Sequence, residues 1–80
     1  MGEKMPRGTI EVQWVDSALD SGWTSVIDAV AKEPIHVRTI GFLIGETPEY
    51  IVVASSRHGT DAAGIMRIPK VAILSEQRGR

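Results

Sequence analysis

The sequence predicts a mainly β chain in which five short strands curl into a small barrel, with one short helix inserted between the first and second strands. Three observations lead there. Ile10, Val12 and Trp14 alternate with Thr9, Glu11 and Gln13, the period of a half-buried strand. Four further apolar segments are of strand length and are separated by glycine, proline or polar turn residues. Only one segment, residues 24–33, spaces its apolar residues as a helix does, and Pro34 ends it.

In chain order, residues 1–8 mix charge, Pro and Gly without periodicity and read as a flexible N-terminal arm. TIEVQWVD, residues 9–16, is the first strand. Ser21-Gly22 marks a turn, and Ser25 with Asp28 forms a weak capping box ahead of Val26, Ile27, Val30 and Ala31. Trp23 lies one turn before Ile27, so the sequence expects it to fold onto the helix face that lids the barrel. With Trp14 in the core, the two tryptophans would clamp helix to barrel.

IHVRTIGFLIG, residues 35–45, is the most β-prone segment, but its apolar set changes phase from Ile35 and Val37 to Ile40, Phe42 and Ile44. A phase change within one strand means a bulge or sharp bend, which Gly41 does not obstruct. GETPE is a hairpin loop, YIVVASS a third strand, and RHGTDAAG a polar loop. GIMRIP gives a short fourth strand cut off by Pro69, and VAILSEQ a fifth, with room for one tight turn between them. The expected organisation is an arm at 1–8, one small β-barrel domain at 9–77 and a basic tail at 78–80.

A long bent second strand and a one-turn break before the last are features of SH3-like and Sm-like small barrels, whose closure removes the edges an open sheet would expose. The competing architecture is a three- to five-stranded sheet with one packed helix. WVDS, GWTS, GFLIGETPEYIVVASS and GIMRIPKVAIL, spanning Glu11 to Glu76, together resemble small phage- and prophage-encoded proteins with Sm-like barrels. That resemblance implies an accessory phage protein, and some such proteins counteract host defence by sequestering nucleotide signals. The inserted helix departs from Sm proteins, whose helix usually precedes the first strand, so their RNA sites do not transfer simply.

Eighty residues make one domain with a thin core, which favours an oligomer. The absence of cysteine removes disulfides and thiolate zinc sites and points to a reducing, cytoplasmic home. No stretch is apolar enough for a signal h-region or a membrane span, and Pro6 spoils a myristoylation signal, so no membrane partner is expected. A net charge of −1 argues against DNA or RNA as partner. Residues 1–50 carry four basic and eight acidic side chains, and residues 51–80 five basic and two acidic. An anionic ligand would be held in the C-terminal third.

The chemistry-bearing groups read mostly as non-catalytic. Asp16 and Asp20 cap turns better than they serve as an acid-base pair. Ser55, Ser56, His58 and Asp61 hold the residue types of a triad but within seven residues of one loop and without a nucleophile elbow. His36 and His58 lack partners at metal-ligand spacing, and no phosphate loop is present, so no enzyme, metal or cofactor is expected.

A nucleotide needs a stacking surface, ribose partners and cations, and the chain offers Trp23, the Asp16-Ser17 pair, and Arg57, His58, Arg67 and Lys70 for those roles. Arg67, inside the apolar run Ile65-Met66-x-Ile68, has three readings: a solvated charge, a phosphate fork, or the partner of a carboxylate on a neighbouring subunit. The leading expectation is a non-enzymatic homo-oligomer that binds a small anionic, nucleotide-derived signal in the host cytoplasm. The alternatives are a structural or protein-interaction module of a phage and a weak RNA-binding Sm-like protein.

Overall fold

The computed structural model describes residues 5–16 and 22–80. Its elements are β1 (Thr9–Asp16), α1 (Val26–Ala31), β2 (Ile35–Glu46), β3 (Tyr50–His58), β4 (Asp61–Pro69), a 3-10 turn (Lys70–Ala72) and β5 (Ile73–Arg78). The strands form one antiparallel sheet in the order β4-β3-β2-β1-β5.

The core follows from alternation. Ile10, Val12 and Trp14 on β1, Ile51 and Val53 on β3, and Ile68 on β4 form one buried cluster, with Val37, Leu43, Ala72 and Ile73 packed against it. Side chains from strands that are not neighbours in the sheet share this cluster, so the sheet is strongly curled. The Trp14 indole Nε1–H donates to Thr39 Oγ1 at 2.9 Å, which lets the ring enter the core without an unpaired donor. Trp14 is therefore a core residue.

The bend in β2 has a steric cause. A Cβ at Gly41 would lie 2.6 Å from the Ala54 carbonyl oxygen and 2.7 Å from Val53 Cγ1, so β3 crosses at a distance that only glycine permits. The register shift itself comes later, between Leu43 and Gly45, with Ile44 as the extra residue.

Four expectations are corrected. The two edges, β4 and β5, do not pair with each other, so the sheet is curled but open and no closed barrel forms within one chain. α1 starts at the Ser25 N-cap, whose Oγ accepts from the Asp28 N–H at 3.1 Å, and buries none of its residues. It does not lid the sheet, and Trp23 is fully exposed rather than clamped. The polar loop expected after β3 is instead a hairpin. His58 pairs with Asp61, leaving only Gly59 and Thr60 between the strands, and Gly59 at φ +59° supplies the left-handed residue that a two-residue turn needs.

Backbone bonds extend past both ends of the strands. Thr9 donates to the Pro6 carbonyl through its N–H at 3.2 Å and its hydroxyl at 2.6 Å, the Leu43 N–H bonds the Gly8 carbonyl at 2.9 Å, and the Gly79 N–H bonds the Thr9 carbonyl at 2.8 Å. The backbones of Pro6, Gly8 and Gly79 are thus bonded to the sheet.

Candidate functional site

The topology divides the expected site residues between two ends of the sheet. Asp16 closes β1 opposite Ile35, at the end where α1 and the β3-β4 hairpin turn also lie in chain order. Ser17, Asp20 and most of the turn between the tryptophans fall outside the described residues. Lys70 lies past the far end of β4, where Tyr50 pairs with Pro69. Nine residues separate Asp61 from Lys70, about 30 Å of extended strand. Arg67 is five residues from Ala62, the partner of Arg57, or about 16 Å away. Within one chain, Arg57 and His58 therefore cannot share a small ligand with Lys70.

Arg57 and His58 do come together, at the hairpin tip. Ser56, Arg57, His58, Asp61, Ala62 and Ala63 line a shallow recess of about 190 Å³. His58 sits directly across from Asp61, on one face, and Arg57 across from Ala62 on the other. Ser55 Oγ donates to the Ala63 carbonyl at 3.3 Å.

Lys70 is occupied. Its Nζ bonds Glu46 Oε2 at 2.8 Å, and the other carboxylate oxygen, Oε1, takes Arg78 Nη2 at 2.8 Å, while Arg78 Nε bonds Glu76 Oε1 at 2.9 Å. One carboxylate thus joins the end of β2, the 3-10 turn and β5. The hydrogen bond from Lys70, then that from Arg78, holds the Glu46 carboxyl below the usual carboxylate range, and hydrogen bonds from Glu46 and Glu76 push the Arg78 guanidinium up. On the outer face Arg38 Nε bonds the Glu11 carboxylate diagonally across β1 and β2, which lowers the Glu11 carboxyl. By contrast Arg57, Arg67 and Asp61 make no ion pair among the described residues.

Sequence reasoning missed this network because Glu46 is 24 residues from Lys70 and 32 from Arg78, a separation no local spacing encodes. It also missed a larger recess, about 630 Å³, lined by Met5 and residues 76 to 80. No group of three or more metal-ligating side chains is found among the described residues, and none of their helices is long and apolar enough to cross a membrane.

Among the described residues one run of bare apolar side chains lies on and beside α1, and Val71 and Leu74 are exposed elsewhere. Trp23 is 105% exposed, and Val26, Ile27 and Val30 are 79%, 82% and 80% exposed. Helical spacing places Val26, Ile27 and Val30 on one stripe of the helix, and Trp23 lies two residues before its N-cap. The geometry thus defines a small, curled, open antiparallel sheet with two free edges, one bare helix face and a recess at a hairpin tip. No family model, curated protein or solved structure matches the chain.

Proposed function

We propose that the chain is a non-enzymatic binding module that works as a homo-oligomer. The observation that carries this reading is the bare face of α1. A six-residue helix is too short to persist in water on its own propensity, so an apolar stripe along it needs a surface to pack on. Burying Val26, Ile27, Val30 and Trp23 is worth on the order of 6–12 kcal/mol gross, comparable to the whole stability of a small domain and enough to offset a moderate association cost. Assembly also covers sheet edges that one chain leaves open.

A second reading concerns what such an assembly binds. Arg57 and Arg67 are exposed cations without a carboxylate partner among the described residues, unlike Lys70, Arg38 and Arg78, and Arg57 borders a recess. This favours a small anion, and the resemblance to phage accessory proteins makes a nucleotide-derived signal the ligand class. Trp23 would offer its base a stacking surface.

Light scattering of the purified protein at micromolar concentration, with mass spectrometry of the denatured protein, tests both readings. An oligomer that dissociates in Ile27→Asp/Val30→Asp supports the module, and a monomeric wild type overturns it. Co-purified nucleotide that disappears in Arg57→Ala supports the ligand, and its absence from the wild type overturns that second reading alone.

A further inference from the structure

The two edges of the sheet are not equivalent. On β5 the charged side chains are satisfied within the chain, Arg78 by Glu46 and Glu76. On β4 they are not: Asp61 and Arg67 are both exposed and lack ion-pair partners among the described residues. β4 is also the longer edge, nine residues against six; both edges expose apolar side chains, Ile65 at 41% and Met66 at 42% on β4 and Leu74 at 60% on β5. An edge strand presents unpaired N–H and C=O groups, and what satisfies them best is another strand.

We propose that β4 is the self-association edge of this protein and that it pairs antiparallel with β4 of a second copy about a two-fold axis through Gly64. This rests on the homo-oligomer reading and names a second contact between copies, beside the one made by the bare face of α1. The residues of β4 specify the axis. In an antiparallel pair centred on residue 64, Asp61 of each chain stands opposite Arg67 of its partner, Ala62 opposite Met66, and Ala63 opposite Ile65. Every charge meets its opposite and every large apolar side chain meets a small one. Directly opposed residues share a face, so Asp61 and Arg67 meet on the outer face and Ala62 and Met66 on the core face. Gly64, at φ +66°, bends the strand where the axis falls, and two glycines facing each other there bring no side chains into conflict.

The same pairing continues a row already present in the sheet. Phe42, Ala54 and Ile65 lie side by side on the outer face of β2, β3 and β4. Adding a second β4 extends that row across the axis and covers the exposed part of Ile65. It also explains why an arginine interrupts an apolar strand: Arg67 sets the register. A shift by one residue in the pairing would place both charges opposite uncharged residues and turn the apolar residues to the wrong face.

The test is a charge exchange read by sedimentation velocity over a concentration series, with far-ultraviolet circular dichroism to confirm the fold. Arg67→Asp sets like charges opposite each other twice per interface and is expected to weaken self-association roughly tenfold or more, as is Asp61→Arg. The double variant Asp61→Arg/Arg67→Asp restores both pairs in reverse and is expected to return the affinity to near that of the wild type. Unchanged assembly in the single variants, failure of the double variant to recover, or an odd number of subunits overturns the β4 pairing while leaving the oligomer reading in place. A monomeric wild type overturns both.

Discussion

The two ends of the sheet are built differently. At one, the start of β1, the end of β2, the 3-10 turn and β5 are tied together by the Glu46 carboxylate, by the hydrogen bonds of residues 6–9, and by the fully buried Ile10, Ile51 and Ile68. At the other, the β3-β4 hairpin from Ser55 to Met66 is exposed throughout, and α1 buries nothing. The first end carries the ion-pair network and the fully buried side chains, although Val71 and Leu74 stay exposed there. The second holds Arg57 and Asp61, which make no ion pair among the described residues, and the bare apolar side chains of α1. Tight packing and exposed hairpin thus lie at opposite ends of the same strands.

The sharpest way to break this comparison is to truncate one apolar side chain at each end. Ile51→Ala is expected to cost about 2–5 kcal/mol, because it opens a cavity in the only core cluster described. Val30→Ala, on the bare face of α1, is expected to change the stability of the isolated chain by less than about 0.5 kcal/mol. Urea unfolding of both variants at concentrations where the protein is dissociated checks the contrast. Equal losses would mean that the helix packs on the sheet after all.

A smaller effect is expected at the helix start. Ser25→Ala removes the oxygen that accepts the Asp28 N–H and is expected to cost about 0.5–2 kcal/mol of helix stability. Because α1 buries nothing against the sheet, the loss should appear in the chemical shifts of residues 26–31 and leave the urea midpoint of the strands unchanged. Movement of both together would show coupling between the two ends.

The smallest effect is pH dependence at the tied end. The Glu46 carboxyl is held below its ordinary range in the folded chain, so the unfolded chain binds more protons under mild acid and stability rises with pH there. The contribution is present above the unfolded value of about 4.3 and is lost as pH falls from there through the folded value. Glu46→Gln is expected to flatten the acid side of the stability profile measured between pH 3 and pH 6. An unchanged slope would remove Glu46 as the tie.

The strands and the helix were legible because each rests on local periodicity. The alternation in residues 9–16 placed β1 at its observed limits, and the helical spacing with Ser25 and Pro34 placed α1 to within two residues at each end. The hairpin at 57–62 was less legible, since Arg57, His58, Thr60 and Asp61 have a loop's composition and only pairing across Gly59-Thr60 makes them strand. Of the expected ligand residues, Arg57 and His58 are adjacent in sequence and stay adjacent at the recess. Lys70 was indistinguishable from them in the sequence, yet the fold hands it to Glu46.

By itself, then, the sequence determined which segments extend, which one coils, which faces are apolar, and that Trp14 enters the core, because these depend on side-chain period and on a few residues of local context. Only the tertiary structure decided that the sheet stays open, that α1 stands clear of it, and that Lys70 is spent on an ion pair while Arg57 and Arg67 are not. An apolar stripe states that a face is to be buried but not against what, and a charge finds its partner only when the curl of the sheet brings together residues dozens of positions apart.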